Sequence, residues 1–310
     1  MTEQVTIIAN TMYPLEGILT LPDSQTEKVP AVVFVHGSGP LDKDESIGAT
    51  KLFRDLADGL SEKGIASIRY NKRSLTYGKQ IVEELNGSFS VEDEVIEDAI
   101  SAANFLKENL RIDSSRIFII GHSLGGMLAP RIDEEGGNFA GLIILAGTLR
   151  TIDEVIIDQN YDAIKYLDES QRDIYLPQIK KLKDTFDSVD NMSDEVAKET
   201  MLIPTSHIYA YYLKEMHDHP VKEYLRRTEK PILVMQGDKD VQVSVEKDFN
   251  QYKEILKDHG NAAFKLYPGL NHLFMKAIYG TIKEVLEEYK VPQTVDNTVL
   301  EDIAQWILSI

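Results

Sequence analysis

Apolar positions along this chain follow two periods that take turns. Val5 to Ile8 and Leu15 to Leu21 read as two strands joined by a turn around Met12 to Pro14. Ala31 to Val35 (AVVFV) is continuously apolar, the pattern of a strand covered on both faces. Leu52, Phe53, Leu56, Ala57 and Leu60 then recur at helical spacing, with Gly64 placed to end that helix. Ile65 to Tyr70 is the next strand. Ser90 is placed to cap a helix with Val91, Val95, Ile96, Ala99, Ala103 and Leu106 on one face. Arg116 to Ile120 (RIFII) and Gly141 to Ala146 (GLIILA) read as buried strands. They are followed by Ile232 to Gln236, a helix near Val245 to Leu256, Ala263 to Tyr267, and a last amphipathic helix from about Val299 to Leu308. Strands alternating with helices predict an α/β architecture, a mainly parallel sheet covered on both sides.

Residues 151–228 interrupt this rhythm. The stretch offers no convincing strand and predicts several helices, broken near Pro177, Ser193, Pro204 and Pro220. It also carries seven of the chain's 14 tyrosines. Two arrangements fit: a helical insertion whose tyrosines pack on the body, or a lid whose aromatic face lines a substrate pocket. The lid is the preferred expectation. Residues 1–150 and 229–310 would then form one core, and 151–228 an inserted helical cap.

Composition narrows the function classes. At 310 residues with 43 % hydrophobic and 27 % charged positions, the chain can bury a sizeable core. It has no cysteine, which excludes disulfides, thiolate metal sites and a cysteine nucleophile. The formal charge of -18 opposes nucleic acid and anionic lipid as partners. No run approaches the roughly 18 apolar residues that span a bilayer. The first ten residues lack the charged start and cleavage site of a secretory signal. The expectation is a soluble cytoplasmic protein with no membrane insertion. Oligomeric state is left open, a homo-oligomer included.

The strongest chemical signal is Gly121-His122-Ser123-Leu124-Gly125, directly after the RIFII strand and before a helix-compatible stretch. That is G-x-S-x-G in the strand–turn–helix context that gives the motif meaning. A serine at the tip of such a turn must take strained backbone angles, and small residues two positions away let strand and helix approach. Serine needs a base to become a nucleophile, and in this arrangement the chain order is serine, acid, histidine. Gly237-Asp238-Lys239-Asp240 follows a strand, and His272 lies in YPGLNH just after another. His272 is the candidate base and Asp240 the preferred acid, with Asp238 expected to shape the turn. An oxyanion hole needs two preorganised N–H donors. The candidates are the backbone amides of Leu124 and of Ser38, the latter in His36-Gly37-Ser38-Gly39-Pro40.

With HGSGP, GHSLGG, GDKD and NHLF in this order, the chain resembles the α/β-hydrolase superfamily. It is most similar to bacterial carboxylesterases often labelled as related to dienelactone hydrolase. The matches are His36 to Pro40, Arg69 to Arg73, Gln236 to Val243, Tyr267 to Phe274 and Asp302 to Ile307. They span nearly the whole chain and are weakest over 151–228. The resemblance implies a central sheet of about eight strands with a helical cap, and serine ester hydrolysis by Ser123, Asp240 and His272. The chain departs from the group at Asn71 and Ser74, where Asp and Gly are usual, so the pocket rim and substrate preference are expected to differ. Proteins named for dienelactone hydrolysis typically use a cysteine nucleophile, so that activity is not expected here.

Other signals are weaker. Asp42, Asp44 and Glu45 fail the calcium-loop pattern, with Gly48 one place late and Phe53 at the bidentate position, and read as a solvated acidic loop. His217 and His219 lack the i, i+4 spacing of a helical zinc site. His36 is expected to bond backbone near the oxyanion loop, His122 to be structural, and Trp306 to pack in the core. His207 and His259 are expected at the surface. The leading expectation is a serine carboxylesterase using no metal or cofactor, with small to medium neutral esters as its small-molecule substrates. An aminopeptidase, a thioesterase or an acyltransferase could use the same triad. A binding protein without catalysis is the rival from another class.

Overall fold

The computed structural model describes residues 1–7, 12–23, 27–203 and 208–310. Ile8, Pro204 and His207, each part of an expectation above, lie outside the described residues. Eight strands form one sheet: β1 (Thr2–Ile7), β2 (Leu15–Thr20), β3 (Val29–Val35), β4 (Ala66–Tyr70), β5 (Ile112–His122), β6 (Leu142–Leu145), β7 (Ile232–Gly237) and β8 (Ala262–Tyr267). Their spatial order is β1-β2-β4-β3-β5-β6-β7-β8. The pairs β1–β2 and β2–β4 are antiparallel, and all later neighbours are parallel.

The continuous apolar runs are explained by this placement. Successive strand side chains point to opposite faces, and both faces are covered. Val33, Val35, Ile117, Ile119, Leu142, Ile144 and Val234 join one core. Val32, Phe34, Phe118, Ile120, Ile143, Leu145 and Met235 join the other. The second core takes the apolar stripe of α1 (Leu52–Glu62) and that of the C-terminal helix Asn297–Ser309, where Trp306 meets Phe118 edge-on. Gly64, at a φ of 84°, closes the α1 turn in the left-handed region that glycine adopts without strain. Past β4 comes α2 (Arg73–Leu85). The first core takes α3 (Glu97–Glu108), which a π-helical turn over Glu92–Ile96 precedes, and α4 (Leu124–Ile132), buried along its whole length.

Between β6 and β7 the chain leaves the sheet as α5 (Ile152–Ile164), α6 (Glu169–Asp187), α7 (Asp194–Glu199), α8 (Ala210–Asp218) and α9 (Val221–Arg227). Thr151 and Glu154 form a capping box on α5, and Asp168 and Ser193 cap α6 and α7. Two expectations are corrected here. Met201–Ile203 and Ile208–Tyr209 pair as a small antiparallel ribbon. Its strands are too short to show a period of two. Pro177 does not break α6 but lies inside it. The ring removes the hydrogen bond to Asp173, but both residues are exposed, so water can satisfy that carbonyl.

These helices are tied to the body through charge as well as apolar contact. Arg131, near the end of α4 and 3 % exposed, donates to Glu135 at 2.8 Å and to Glu215 of α8 at 2.5 Å. Tyr224 of α9 donates to Glu135 at 3.0 Å. Arg150 bridges Asp248 of the core and Asp158 of α5. Among the described residues no helix is long and apolar enough to cross a membrane.

Candidate active site

Ser123 stands between β5 and α4 at φ 53° and ψ −113°, a conformation an L-residue adopts only under constraint. The constraint is packing. A Cβ on Gly121 would lie 2.2 Å from the Gly125 carbonyl oxygen, and one on Gly125 would lie 2.1 Å from that of Val35. Only glycine at both positions lets strand, turn and helix approach this closely.

Asp240 and His272 meet at the carboxyl ends of β7 and β8. His272 Nδ1 lies 2.7 Å from Asp240 Oδ2, which also accepts from Gln236 Nε2 at 2.8 Å. Asp240 Oδ1 accepts from the backbone amides of Gln242 and Val243 at 2.8 and 3.0 Å. The side chain is fully buried, and these four contacts occupy both of its oxygens. Asp238 is exposed and accepts from Gly269 N, holding the turn. The His272 loop is stapled by Asn271, which accepts from the amides of Leu273 and Met275 and donates to Glu288.

Ser123 and His272 line the same cavity, of about 970 Å³, with Ser38 and Leu124. Among the described residues, neither the Ser123 hydroxyl nor His272 Nε2 makes a hydrogen bond. In the loop that holds Ser38, Gly37 N donates to Glu45 Oε1 at 2.8 Å. The next amide, Ser38 N, has no partner among the described residues.

The acidic loop is corrected by the structure. Asp44 pairs with Arg69 and Lys51, and Glu45 is wholly buried. Glu45 Oε1 faces His122 Nδ1 at 3.0 Å, while His122 Nε2 contacts the His272 carbonyl oxygen at 3.1 Å. Both partners of the His122 ring are acceptors, so both ring nitrogens carry hydrogen. Burial opposes that charge, but the Glu45 carboxylate outweighs it and holds His122 above the usual imidazole value. In the same way burial opposes the Glu45 charge and His122 restores it. His36, by contrast, lies tilted against Phe53 and edge-on to Tyr70, and donates from Nε2 to the Asp42 carbonyl. Burial drops its pKa to about 4, leaving it neutral.

A second buried group was missed. Lys72, 2 % exposed, pairs with Glu94 at 2.9 Å, and Glu94 also accepts from Ser74 and from Tyr212 of α8. Burial works against the Glu94 charge, but Lys72 and these donors keep its pKa below the usual value. Ser74, the departure noted above, thus helps to satisfy a carboxylate in the cavity wall. Asn71 accepts from the amide of Lys43. From α5 to α8 the lining is mostly aliphatic, with Ile152, Val155, Ile156 and Leu213 prominent. Of that region's tyrosines only Tyr209 and Tyr212 reach the cavity, which corrects the expected aromatic face.

The sheet order, the crossing at Ser123 and the acid and histidine after β7 and β8 define an α/β-hydrolase-fold protein. The family described as "Serine aminopeptidase, S33" matches residues 26–276, and the chain belongs to it. Esterase EstD of Thermotoga maritima is 35 % identical over 300 residues, 96 % of this chain. The chain spans 66 % of the length of that relative. Est1E from Butyrivibrio proteoclasticus superposes with a TM-score of 0.55 at 16 % identity, covering 97 % of this chain and 99 % of its own. A puromycin-hydrolyzing peptidase of Mycobacterium tuberculosis superposes with a TM-score of 0.59 at 18 % identity, covering 99 % of this chain and 40 % of its own.

Proposed function

We propose that this chain is a serine carboxylesterase in which Ser123 is the nucleophile, His272 the base and Asp240 the acid that orients it. The observation that carries this reading is the Asp240–His272 pair at 2.7 Å facing the same cavity as a serine held at a left-handed turn. His272 Nε2 takes the Ser123 proton as Oγ attacks the acyl carbon. The amides of Ser38 and Leu124 hold the developing oxyanion. Collapse of the tetrahedral species breaks the bond to the alcohol, which leaves with the proton from His272. Water, deprotonated by His272, then releases the acid from the acyl-enzyme and regenerates Ser123. Each step is proton transfer and acyl transfer, so no cofactor is required.

Residues 151–228 act as a cap in this proposal. Their aliphatic lining and the cavity size fit uncharged esters with small to medium acyl chains. The name of the relative EstD supports an esterase, whereas the family description favours an aminopeptidase as the second reading. An aminopeptidase needs free carboxylates for the substrate amine. Of the acids lining the cavity, Glu45 and Glu94 are already paired with buried cations, and Glu83 lies exposed at the rim. We also keep as proposals a cytoplasmic location and kinship with the dienelactone-hydrolase-related carboxylesterases, which only sequence features support.

The test is a panel of p-nitrophenyl esters from acetyl to lauroyl, with proline p-nitroanilide and an acyl-CoA thioester, run on parent and Ser123→Ala. We expect turnover of short and medium esters, reduced roughly a million-fold by the substitution. Preference for the anilide or the thioester, or near-parent activity without Ser123, would overturn the proposal.

A further inference from the structure

The oxyanion role assigned above to Ser38 depends on the direction its N–H points. That N–H belongs to the same peptide unit as the Gly37 carbonyl, and no described peptide bond is cis. In a trans unit the C=O and N–H point in opposite directions, so whatever holds the Gly37 oxygen also aims the Ser38 hydrogen. Lys72 Nζ donates to that oxygen at 3.0 Å. The unit before it is fixed by the Gly37 N–H donating to Glu45 at 2.8 Å. The loop is therefore clamped from both sides by buried charges.

Lys72 does not stand alone. An ammonium that is 2 % exposed is tolerated only when paired, and its partner is Glu94 Oε1 at 2.9 Å. The other oxygen of Glu94 accepts from the Tyr212 hydroxyl at 2.7 Å. Tyr212 belongs to α8, in the inserted segment, and lines the cavity beside Glu94. Lys72 is absent from the cavity wall and does not touch a substrate there. A chain of three hydrogen-bonded links thus runs from α8 to the back of the oxyanion peptide.

We propose that Lys72 is a positioning residue for the oxyanion hole, and that Tyr212 and Glu94 make its grip depend on the seating of α8. The inference rests on the esterase reading. A donor on the Gly37 oxygen also polarises the amide, which strengthens the bond that Ser38 N–H offers an oxyanion. Loss of the clamp lets the peptide rotate, and the cost falls on the transition state rather than on substrate binding.

The test compares a p-nitrophenyl ester with the matching thionoester, in which sulfur replaces the carbonyl oxygen. A preorganised hole discriminates against the larger, weaker acceptor, and a loosened one discriminates less. In Lys72→Met we expect kcat to fall by about 10²–10³, the range for loss of one oxyanion donor. KM should stay within about threefold, and the oxo-to-thiono ratio of kcat/KM should drop about tenfold. Tyr212→Phe keeps the ring and its packing. It should lower kcat about threefold to tenfold and move the ratio in the same direction, so the test survives if Lys72→Met does not fold. A fall in kcat at unchanged ratio, or no change in either quantity for Tyr212→Phe, would overturn the inference. Ser123→Ala is run in parallel. If it abolishes turnover, an unchanged ratio defeats the positioning role alone. If it does not, the esterase reading fails first and takes this inference with it.

Discussion

Asp240→Asn is the sharpest probe of the proposed triad because the exchange is nearly isosteric. The oxygens of Asp240 accept from Gln242 N and Val243 N on one side, and face Gln236 Nε2 and His272 Nδ1 on the other. An asparagine must place its NH2 toward one of these sides. Facing the two fixed backbone amides is the worse choice, so the NH2 turns toward His272. His272 must then offer a lone pair at Nδ1, which moves its hydrogen to Nε2, the nitrogen that should take the Ser123 proton. The wrong tautomer blocks the base, and the same exchange in serine proteases costs about 10⁴ in kcat, or about 5.5 kcal/mol. Gln236 also loses its acceptor. Flipping its amide only moves the mismatch to the Val243 carbonyl, now 2.9 Å from Nε2. One buried mismatch costs about 1–3 kcal/mol of stability. The assay is kcat on p-nitrophenyl butyrate together with urea denaturation. A variant within about tenfold of the parent kcat while folded would refute the tautomer argument and remove Asp240 from the triad.

Two further outcomes follow from the buried charges. Glu45→Gln leaves the His122 imidazolium without its counter-charge and should cost about 3–5 kcal/mol. A loss below about 1 kcal/mol by urea denaturation would mean that His122 is neutral. His217 lies 2.9 Å from Asp153 and 2.6 Å from Asp190, and these carboxylates raise its pKa to about 9. Its folded value thus exceeds the unfolded value of about 6.5. The stability it adds is fully present below pH 6.5 and lost as pH rises through 9. The Tm gap between parent and His217→Gln should narrow between pH 6 and 9.5, and a gap constant across that range would count against the pairing.

The sheet was legible because its strands are covered on both faces, which turns burial into unbroken apolar runs such as AVVFV and RIFII. The proposed triad drew on a sequence signal, since Ser123, Asp240 and His272 each follow a recognisable strand; Ser123 and His272 line one cavity, and Asp240 lies behind His272 at 2.7 Å. The supporting charges were not. Glu45 is one of three acids in five residues, and nothing local distinguishes the buried one from its neighbours. Lys72 meets its partners 35 residues back and 22 residues ahead, at Gly37 and Glu94. A charge whose burial is compensated by a distant residue looks like surface until the chain is folded. The ribbon of Met201–Ile203 with Ile208–Tyr209 was hidden for another reason. Strands of two and three residues carry too few positions to establish any period.

Arg131 gives the inserted helices a different standing from that of a detachable module. It belongs to the helix that begins beside Ser123, yet one of its carboxylate partners, Glu215, comes from α8. Excising 151–228 would therefore leave Arg131 to Glu135 and Glu92 alone and strip the Tyr212 hydroxyl from Glu94. A foreign segment grafted between β6 and β7 would have to bring its own carboxylate to Arg131 and its own donor to Glu94, so the seam is matched in charge on both sides.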